Sequence, residues 1–289
     1  MDLRKTCLLL ISFIFILVGC DDEKTCSNYC PGEDITIQLR SDLENGLSVK
    51  LKKGTYYVSE SINIEDYPGG TIEGAGKDKT FIKVVEGFKA ADIPFAAGEF
   101  TSIMGFMNTT GDVMIKSMTF VIEGDAPAEG HTNPWLGYST AIDNVLVVGG
   151  INIKVSYIDL AVLGESTSAT GNVNGYNIGF PLIASAHMIA GNGTIDFTLT
   201  GSEVIGYGIG VEYYQTHGGT AMIENNEFSN AGDHGLWLGW SDTPCNVTVR
   251  SNIFTNISKS AIYREANIVD YCFENNTEDG VSMADDCPL

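Results

Sequence analysis

Ala221-Met222-Ile223-Glu224-Asn225-Asn226-Glu227-Phe228-Ser229-Asn230 returns as Val247-Thr248-Val249-Arg250-Ser251-Asn252-Ile253-Phe254-Thr255-Asn256, each residue 26 positions after its counterpart. A fixed period of this size marks stacked repeats, each burying its apolar face on the next. Inside the unit the apolar residues Ala221 and Ile223, and again Val247 and Val249, alternate with polar ones. That is the period of strands and not of helices. The pattern predicts the coil of a parallel β-helix, strand, turn, strand, turn, with neighbouring coils about 4.8 Å apart. Asn226 then stacks on Asn252 and Asn230 on Asn256 as ladders at the turns, while Phe228 and Phe254 stack inside. A second apolar strand follows each unit, at Leu236/Leu238 and at Ile262.

Composition agrees with an all-β chain. Thirty-three glycines and few basic residues, with abundant Val, Ile, Thr, Asn and Phe, suit strands and tight turns. A formal charge of −21 excludes DNA or RNA as a partner, because phosphate binding needs Lys and Arg to displace counterions. An acidic polysaccharide is disfavoured for the same reason, so any glycan partner is expected to be neutral. The 289 residues hold no linker-like run and read as one domain behind an export segment.

That segment starts with basic Arg4 and Lys5 and continues through an apolar run from Cys7 to Val18, too short for a resident membrane helix. Leu17-Val18-Gly19-Cys20 resembles the lipobox of bacterial lipoproteins at all four positions. The resemblance implies a signal peptide over residues 1–19, lipidation of Cys20 and a tether over residues 20–34. Asp21-Asp22-Glu23 resembles the acidic tract that sends lipoproteins of some bacteria to the cell surface. The expected address is the cell envelope, at the outer membrane or surface and not the inner membrane.

The domain at residues 35–289 opens with Ile35, Leu39, Leu43 and Leu47 four apart, one face of a short amphipathic helix that closes the open end of the coil. Gly54-Thr55-Tyr56-Tyr57-Val58, Gly70-Thr71-Ile72-Glu73-Gly74-Ala75-Gly76 and Thr80-Phe81-Ile82 follow. Here the chain resembles right-handed parallel β-helices of the pectate-lyase type, whose coils also begin with a capping helix and a strand ending in Gly-Thr-Tyr. The resemblance covers residues 35 to about 271 and implies a single-stranded right-handed coil. A phosphate loop at Gly74-Ala75-Gly76-Lys77 is rejected. Asp78 stands where Ser or Thr should bind magnesium, Thr71 replaces the first glycine, and no helix follows.

Between Phe88 and Thr110 the pattern blurs, with Met104, Phe106 and Met107 assigned to the core. Val113–Val121, Val145–Val148, Ile151–Leu163, Tyr176–Ile183 and Ile195–Leu199 read as strands, and Tyr271–Asn276 as a truncated last rung before a closing acidic tail. Gly124–Ser139, with His131, Trp135 and Tyr138, and Ser166–Asn174 are excursions from the coil, where function tends to sit. In the shorter rung before the clearest pair, Glu203-Val204 aligns with Glu227-Phe228, 24 residues apart, and Gly208-Ile209 with Gly235-Leu236, 27 apart.

Asp233-His234-Gly235 is the most suggestive polar cluster. Polygalacturonase-type hydrolases carry Gly-His-Gly near paired aspartates; this chain has Asp at the first glycine and no such pair. Asp233, His234 and Lys259 are the catalytic candidates, although the period also sets Lys259 over Asp233 and Arg250 over Glu224 as plain charge pairs between rungs. A lyase would recruit Lys259 and Arg264; a hydrolase would need two carboxylates about 5 to 10 Å apart, for which Asp233, Glu212 and Glu265 are loosely constrained. Neither a cofactor nor a metal is implied.

With Leu236 and Leu238 inward, Trp237 and Trp240 point out. The period sets Tyr263 over Trp237, and the shorter rung sets Tyr213 under Trp240. Two aromatic columns with His131 and Trp135 as a wall would suit sugar rings, whose faces are apolar and whose rims need hydrogen bonds. Five cysteines follow Cys20: Cys26, Cys30, Cys245, Cys272 and Cys287. Cys245 and Cys272, 27 apart, are near enough to one rung to pair; Cys272 with Cys287 is the alternative. The reading is an envelope lipoprotein whose β-helix binds or processes a carbohydrate, with a structural or adhesive surface protein as the other possibility.

Overall fold

The computed structural model of the protein describes residues 28–89, 91–95, 98–121, 143–150, 152–163, 172–173, 176–177, 182–185, 194–206, 209–214, 219–232, 234–239, 245–266, 268 and 270–288. Behind one helix, Thr36–Glu44, the chain winds as a parallel β-helix. Coil-to-coil pairings among these residues are parallel. The antiparallel pairings are local, as in Asp92–Phe95 with Gly98–Thr109 and Asn172–Val173 with Tyr176–Asn177.

Each coil in the regular part has three strands where the alternation alone suggested two. The clearest runs Gly219–Glu224, Glu227–Ser229, His234–Gly239, and the next Cys245–Arg250, Ile253–Thr255, Ser260–Arg264. The first and second strands share one sheet, folded at a two-residue turn, and the third strands form another. That turn shifts the inward positions by a single residue, from Ala221 and Ile223 to Asn226 and Phe228, and the first of them is polar, which is why it does not stand out as a break.

What makes it turn is a column of left-handed residues. Ser117, Asp159, Gly201, Asn225, Ser251 and Asn275 occupy this corner in successive coils, with φ of 58°, 52°, 62°, 57°, 55° and 55°. Asn, Asp and Gly tolerate this region best among common residues. A second column, Gly206, Asn230 and Asn256, turns the chain after the second strand.

Directly after the first corner the side chain turns inward. Asn226, Asn252 and Asn276 are buried there, and each carboxamide oxygen accepts from the residue one coil earlier, Ser202 N, Asn226 N and Asn252 N, at 2.9 to 3.0 Å. Each Nδ2 in turn donates to a carbonyl of the preceding coil, Leu199, Ile223 or Val249. Buried polar groups are tolerable when satisfied in this way. The outer ladder also forms, with Asn256 Nδ2 donating to Asn230 Oδ1 at 2.8 Å.

Two positions on, Phe228 and Phe254 stack at 5.0 Å with rings 10° apart, in line with Val204, Val162 and Phe120. Each buried ring contributes roughly 2 to 3 kcal/mol of transfer free energy. Met104 and Phe106 are fully buried as expected, whereas Met107, one alternation out of phase, is half-exposed.

The coil length is not constant. Ser202 to Asn226 is 24 residues, Asn226 to Asn252 is 26, and Asn252 to Asn276 is 24 again. Between the first two coils Glu203 pairs with Glu227 but Ile209 with His234, so one residue has been added at the turn between. This overturns the alignment of Gly208-Ile209 with Gly235-Leu236, and places Tyr213 beside Leu238, not under Trp240. It also separates Cys245 from Cys272: Cys272 pairs with Thr248, three residues along the strand from Cys245. Cys272 is bonded to Cys287 instead.

Both ends are closed. Leu39 and Leu43 of the helix are fully buried, but the helix stops at Glu44 and Leu47 lies beyond it, half-exposed, off the predicted face. Asp34 Oδ1 accepts from Thr36 N (2.9 Å), and Tyr29 Oη donates to Asp42 Oδ2 (2.6 Å) under the cap. At the far end Phe273 and Asp286 exchange two main-chain hydrogen bonds of 2.9 Å, and the disulfide fastens the tail there. Of the remaining strand expectations, Tyr176–Ile183 is split: Tyr176–Asn177 folds back on Asn172–Val173, and the coil resumes at Leu182–Ser185.

Candidate functional site

The third face of the last two full coils carries the candidate site. Along His234–Gly239 the strand does not alternate simply. A Cβ on Gly235 would lie 2.7 Å from Phe254 Cδ1 and 2.7 Å from Ala261 O, so this position faces the core, as does Leu236 next to it. Two consecutive inward positions leave His234 and Trp237 together on the outside. A side chain at 235 would destroy that arrangement.

Ser260 and Tyr263 stand one coil above them, in register with His234 and Trp237. His234 Nδ1 and Ser260 Oγ are 2.7 Å apart and hydrogen-bonded. The His234 ring stacks on Tyr263 at 4.7 Å and 22°, while Trp237 meets Tyr263 at 5.4 Å and 87°. The three rings form one compact cluster, a favourable arrangement of edges and faces. Tyr263 remains 40% exposed and Trp237 half-exposed.

The indole is laid down along the sheet. Trp237 Nε1 donates to Glu265 Oε1 at 3.1 Å, and a Cβ on Gly239 would lie 2.7 Å from that nitrogen and 3.0 Å from Glu265 Cδ. The missing side chain at 239 is what lets the ring lie across the strand and reach the carboxylate. Glu265 is itself positioned by its main-chain nitrogen, which donates to Leu238 O at 2.9 Å. The result is an aromatic shelf with a carboxylate at one end and a histidine–serine pair at the other.

Of the residues singled out in the sequence, the structure brings Trp237, Tyr263 and His234 together. Lys259 is exposed on the neighbouring coil beside Ser260. Tyr213 lies on the strand before, with Leu238 as its neighbour. Asp233, Trp240, His131, Trp135, Tyr138, Cys20 and Cys26 lie outside the described residues, as does the predicted pair of Asp233 with Lys259. The other predicted charge pair forms: Arg250 Nε reaches Glu224 Oε2 at 2.5 Å. Arg264, the cation considered for a lyase, is engaged elsewhere, donating to Ile268 O at 2.6 Å with its guanidinium 4.1 Å from the centre of the Tyr271 ring.

Ser260, Gly239 and Glu265 were not nominated from the sequence as binding residues. The period contained the signal for all three, since 260 lies 26 after 234 and 265 lies 26 after 239. Only the tilt of the indole, which no period encodes, makes Glu265 its partner. Elsewhere among the described residues the grouped ligand atoms of Cys272, Glu274 and Cys287 are no metal site, because the two sulfurs are bonded to each other.

The fold and this face together define a parallel β-helix with an exposed aromatic shelf. No protein-family model matches the chain. No curated protein matches it either. Among solved structures it is similar to the catalytic domain of a GH87 alpha-1,3-glucanase in complex with nigerose, at 10% identity and a TM-score of 0.44 over 86% of this chain and 44% of the other. The chain thus spans less than half of that domain. It also aligns with the A-modules of the Azotobacter vinelandii mannuronan C-5 epimerases AlgE4 and AlgE6, at 14% and 15% identity and TM-scores of 0.22 and 0.23, over 86% and 87% of this chain and 92% and 95% of theirs. At these scores nothing about site or activity transfers, and the fold rests on the chain's own strand register.

Proposed function

We propose that this protein is a lipid-anchored component of a bacterial cell envelope whose β-helix binds a carbohydrate free of acidic groups on the shelf formed by Trp237, Tyr263, His234 and Glu265. The observation that carries the reading is the indole held along the sheet by Glu265 across Gly239, beside a partly exposed Tyr263. Rings fixed in this way offer an apolar platform at little entropic cost, and the carboxylate and the Ser260 hydroxyl supply hydrogen bonds to sugar hydroxyls. A scaffold needs ladders only; it has no use for a glycine that exists to seat an outward-facing indole.

The formal charge of −21 disfavours polyuronates and other anionic glycans. Binding is the core of the proposal. Any processing would fall to His234, with Asp233 and Lys259, and would show as product. The anchor rests on the lipobox at Leu17-Val18-Gly19-Cys20, with the acidic run after it favouring the outer membrane or cell surface.

The test is a screen of purified protein against neutral and acidic glycans, reading both depletion of ligand and the appearance of reducing or unsaturated ends. Retention of non-acidic glycans supports the reading, and new ends would extend it to catalysis. Failure to retain any glycan leaves a structural or adhesive surface protein. The anchor is tested separately: Cys20→Ala should leave the membrane fraction, and continued partitioning into membranes contradicts lipidation.

A further inference from the structure

The shelf carries a negative charge that a neutral ligand would use only as a hydrogen-bond acceptor. At one end Glu265 offers Oε1 to Trp237, while Oε2 makes no hydrogen bond with a described residue and Glu265 is half-exposed. The register places Glu212, on the coil before, beside Trp237 at main-chain level. The nearest cation in sequence, Arg264, donates to Ile268 O and, at 3.4 Å, to the main-chain oxygen of Glu265, and lies over the Tyr271 ring, making no ion pair with the Glu265 carboxylate. Lys259 lies in the bend before the strand Ser260–Arg264, six residues before Glu265. A carboxylate beside two perpendicular aromatic rings is a site for an ammonium group. The carboxylate supplies a charge-assisted hydrogen bond, and the ring faces supply cation–π attraction.

Resting on the carbohydrate reading above, we infer that the shelf selects sugars bearing a protonated amine, hexosamine units whose amino group is not acetylated, over their neutral counterparts. The pyranose lies on Tyr263 and Trp237 with its amine directed at Glu265 Oε2, and its rim hydroxyls reach Ser260 and His234. Selection against the acetylated form follows from two losses. An acetamide carries no charge for Glu265, and its added bulk falls where the carboxylate stands. The protein's own charge of −21 assists, because a polycationic chain is drawn toward it at low ionic strength.

The experiment titrates the full chain with a β-linked glucosamine oligomer, its fully N-acetylated form and a glucose oligomer of equal length, at low and high salt, for the wild type and Glu265→Gln. The amine form is expected to bind the wild type roughly tenfold more tightly than the other two, the equivalent of one charge-assisted hydrogen bond. In Glu265→Gln that advantage should vanish, so that the three oligomers bind within about twofold of one another, whatever their common affinity becomes. An arm that needs no variant raises the pH until the ligand amine is neutral, which should erase the preference in the wild type.

Equal affinity for the three oligomers, or a preference that survives both Glu265→Gln and neutralisation of the amine, overturns the inference and leaves the carbohydrate reading standing. Free choline competing as well as the amine oligomer shows an ammonium site without sugar selection and also overturns it. Failure to bind any of the three oligomers overturns the inference, while the carbohydrate reading falls only if the wider glycan screen is negative as well.

Discussion

Asn252 Oδ1 accepts two hydrogen bonds from Asn226, one from its main-chain N–H and one from its carboxamide, both 3.0 Å long. Both residues are buried, and the Asn252 amide in turn donates to Ile223 O at 2.9 Å. It donates as well to Asn276 Oδ1 at 3.1 Å, so one side chain closes four buried hydrogen bonds between coils. Asn252→Ala would remove all four and leave the buried Asn226 main-chain N–H without its acceptor, and should cost about 3 kcal/mol in urea unfolding. Asn256→Ala, which breaks an exposed rung of the outer ladder, should cost less than about 1 kcal/mol. Equal losses at the two positions would contradict this account of the corner.

Tyr157 points the other way. Its hydroxyl is fully buried against Phe197 and has no hydrogen-bond partner among the described residues, and burial pushes its pKa well above the ordinary tyrosine value. The ring fills the coil, but the oxygen is desolvated for no return. Tyr157→Phe should leave stability unchanged or raise it by about 1 kcal/mol. A clear loss in the same unfolding assay would show that the hydroxyl has a partner.

The corners of the coil show how much of the fold the sequence made legible. The period of 26 identified the stacking of Asn226 on Asn252, of Phe228 on Phe254 and of Trp237 on Tyr263, because parallel strands place equivalent residues side by side. Extending that period failed wherever a turn changed length by one or two residues, since turns outside the core can absorb an insertion without disturbing it. Tyr213 and the Cys245–Cys272 pair were lost in this way. The second strand, Glu227–Ser229, does not stand apart from the first in the sequence, because a corner made by one left-handed residue keeps the apolar alternation almost intact. At the site, the aromatic column was legible, but the bend at Gly235 and the seat at Gly239 follow from what lies within 3 Å of each glycine, which a linear pattern does not report.

Non-reducing peptide mapping should recover a peptide joining Cys272 to Cys287, and none joining Cys245 to Cys272. The bond closes a loop of 15 residues, and opening it by Cys287→Ser should lower stability by about 3 kcal/mol, in the chain-entropy account of cross-links. The loss should appear first as amide exchange in residues 270–288, where the tail lies against the last coil. Uniform loss of protection along the whole chain would contradict a role confined to that end.

The two glycines of the third strand should fail differently. Gly235→Ala forces a methyl toward Phe254 and Ala261 and should cost about 1 to 3 kcal/mol by overpacking. Gly239→Ala meets only the movable indole and the Glu265 carboxyl, so the fold should survive with less than about 1 kcal/mol lost while Trp237 is lifted from the sheet. Tryptophan fluorescence should shift to longer wavelength in Gly239→Ala. An unchanged spectrum would mean that the indole is not seated by this glycine.

The central claim, that this shelf is the binding surface, is tested most directly by the affinity of one non-acidic glycan retained by the wild type, measured by calorimetry for Trp237→Ala and Tyr263→Ala. Both variants must first match the wild type in circular dichroism and in their unfolding midpoints to within a few degrees. Loss of a stacking ring from a sugar site is expected to weaken binding by roughly tenfold or more in each variant, the equivalent of about 1.4 kcal/mol. Wild-type affinity in both folded variants would show that the sugar binds elsewhere and that the shelf is only part of the scaffold.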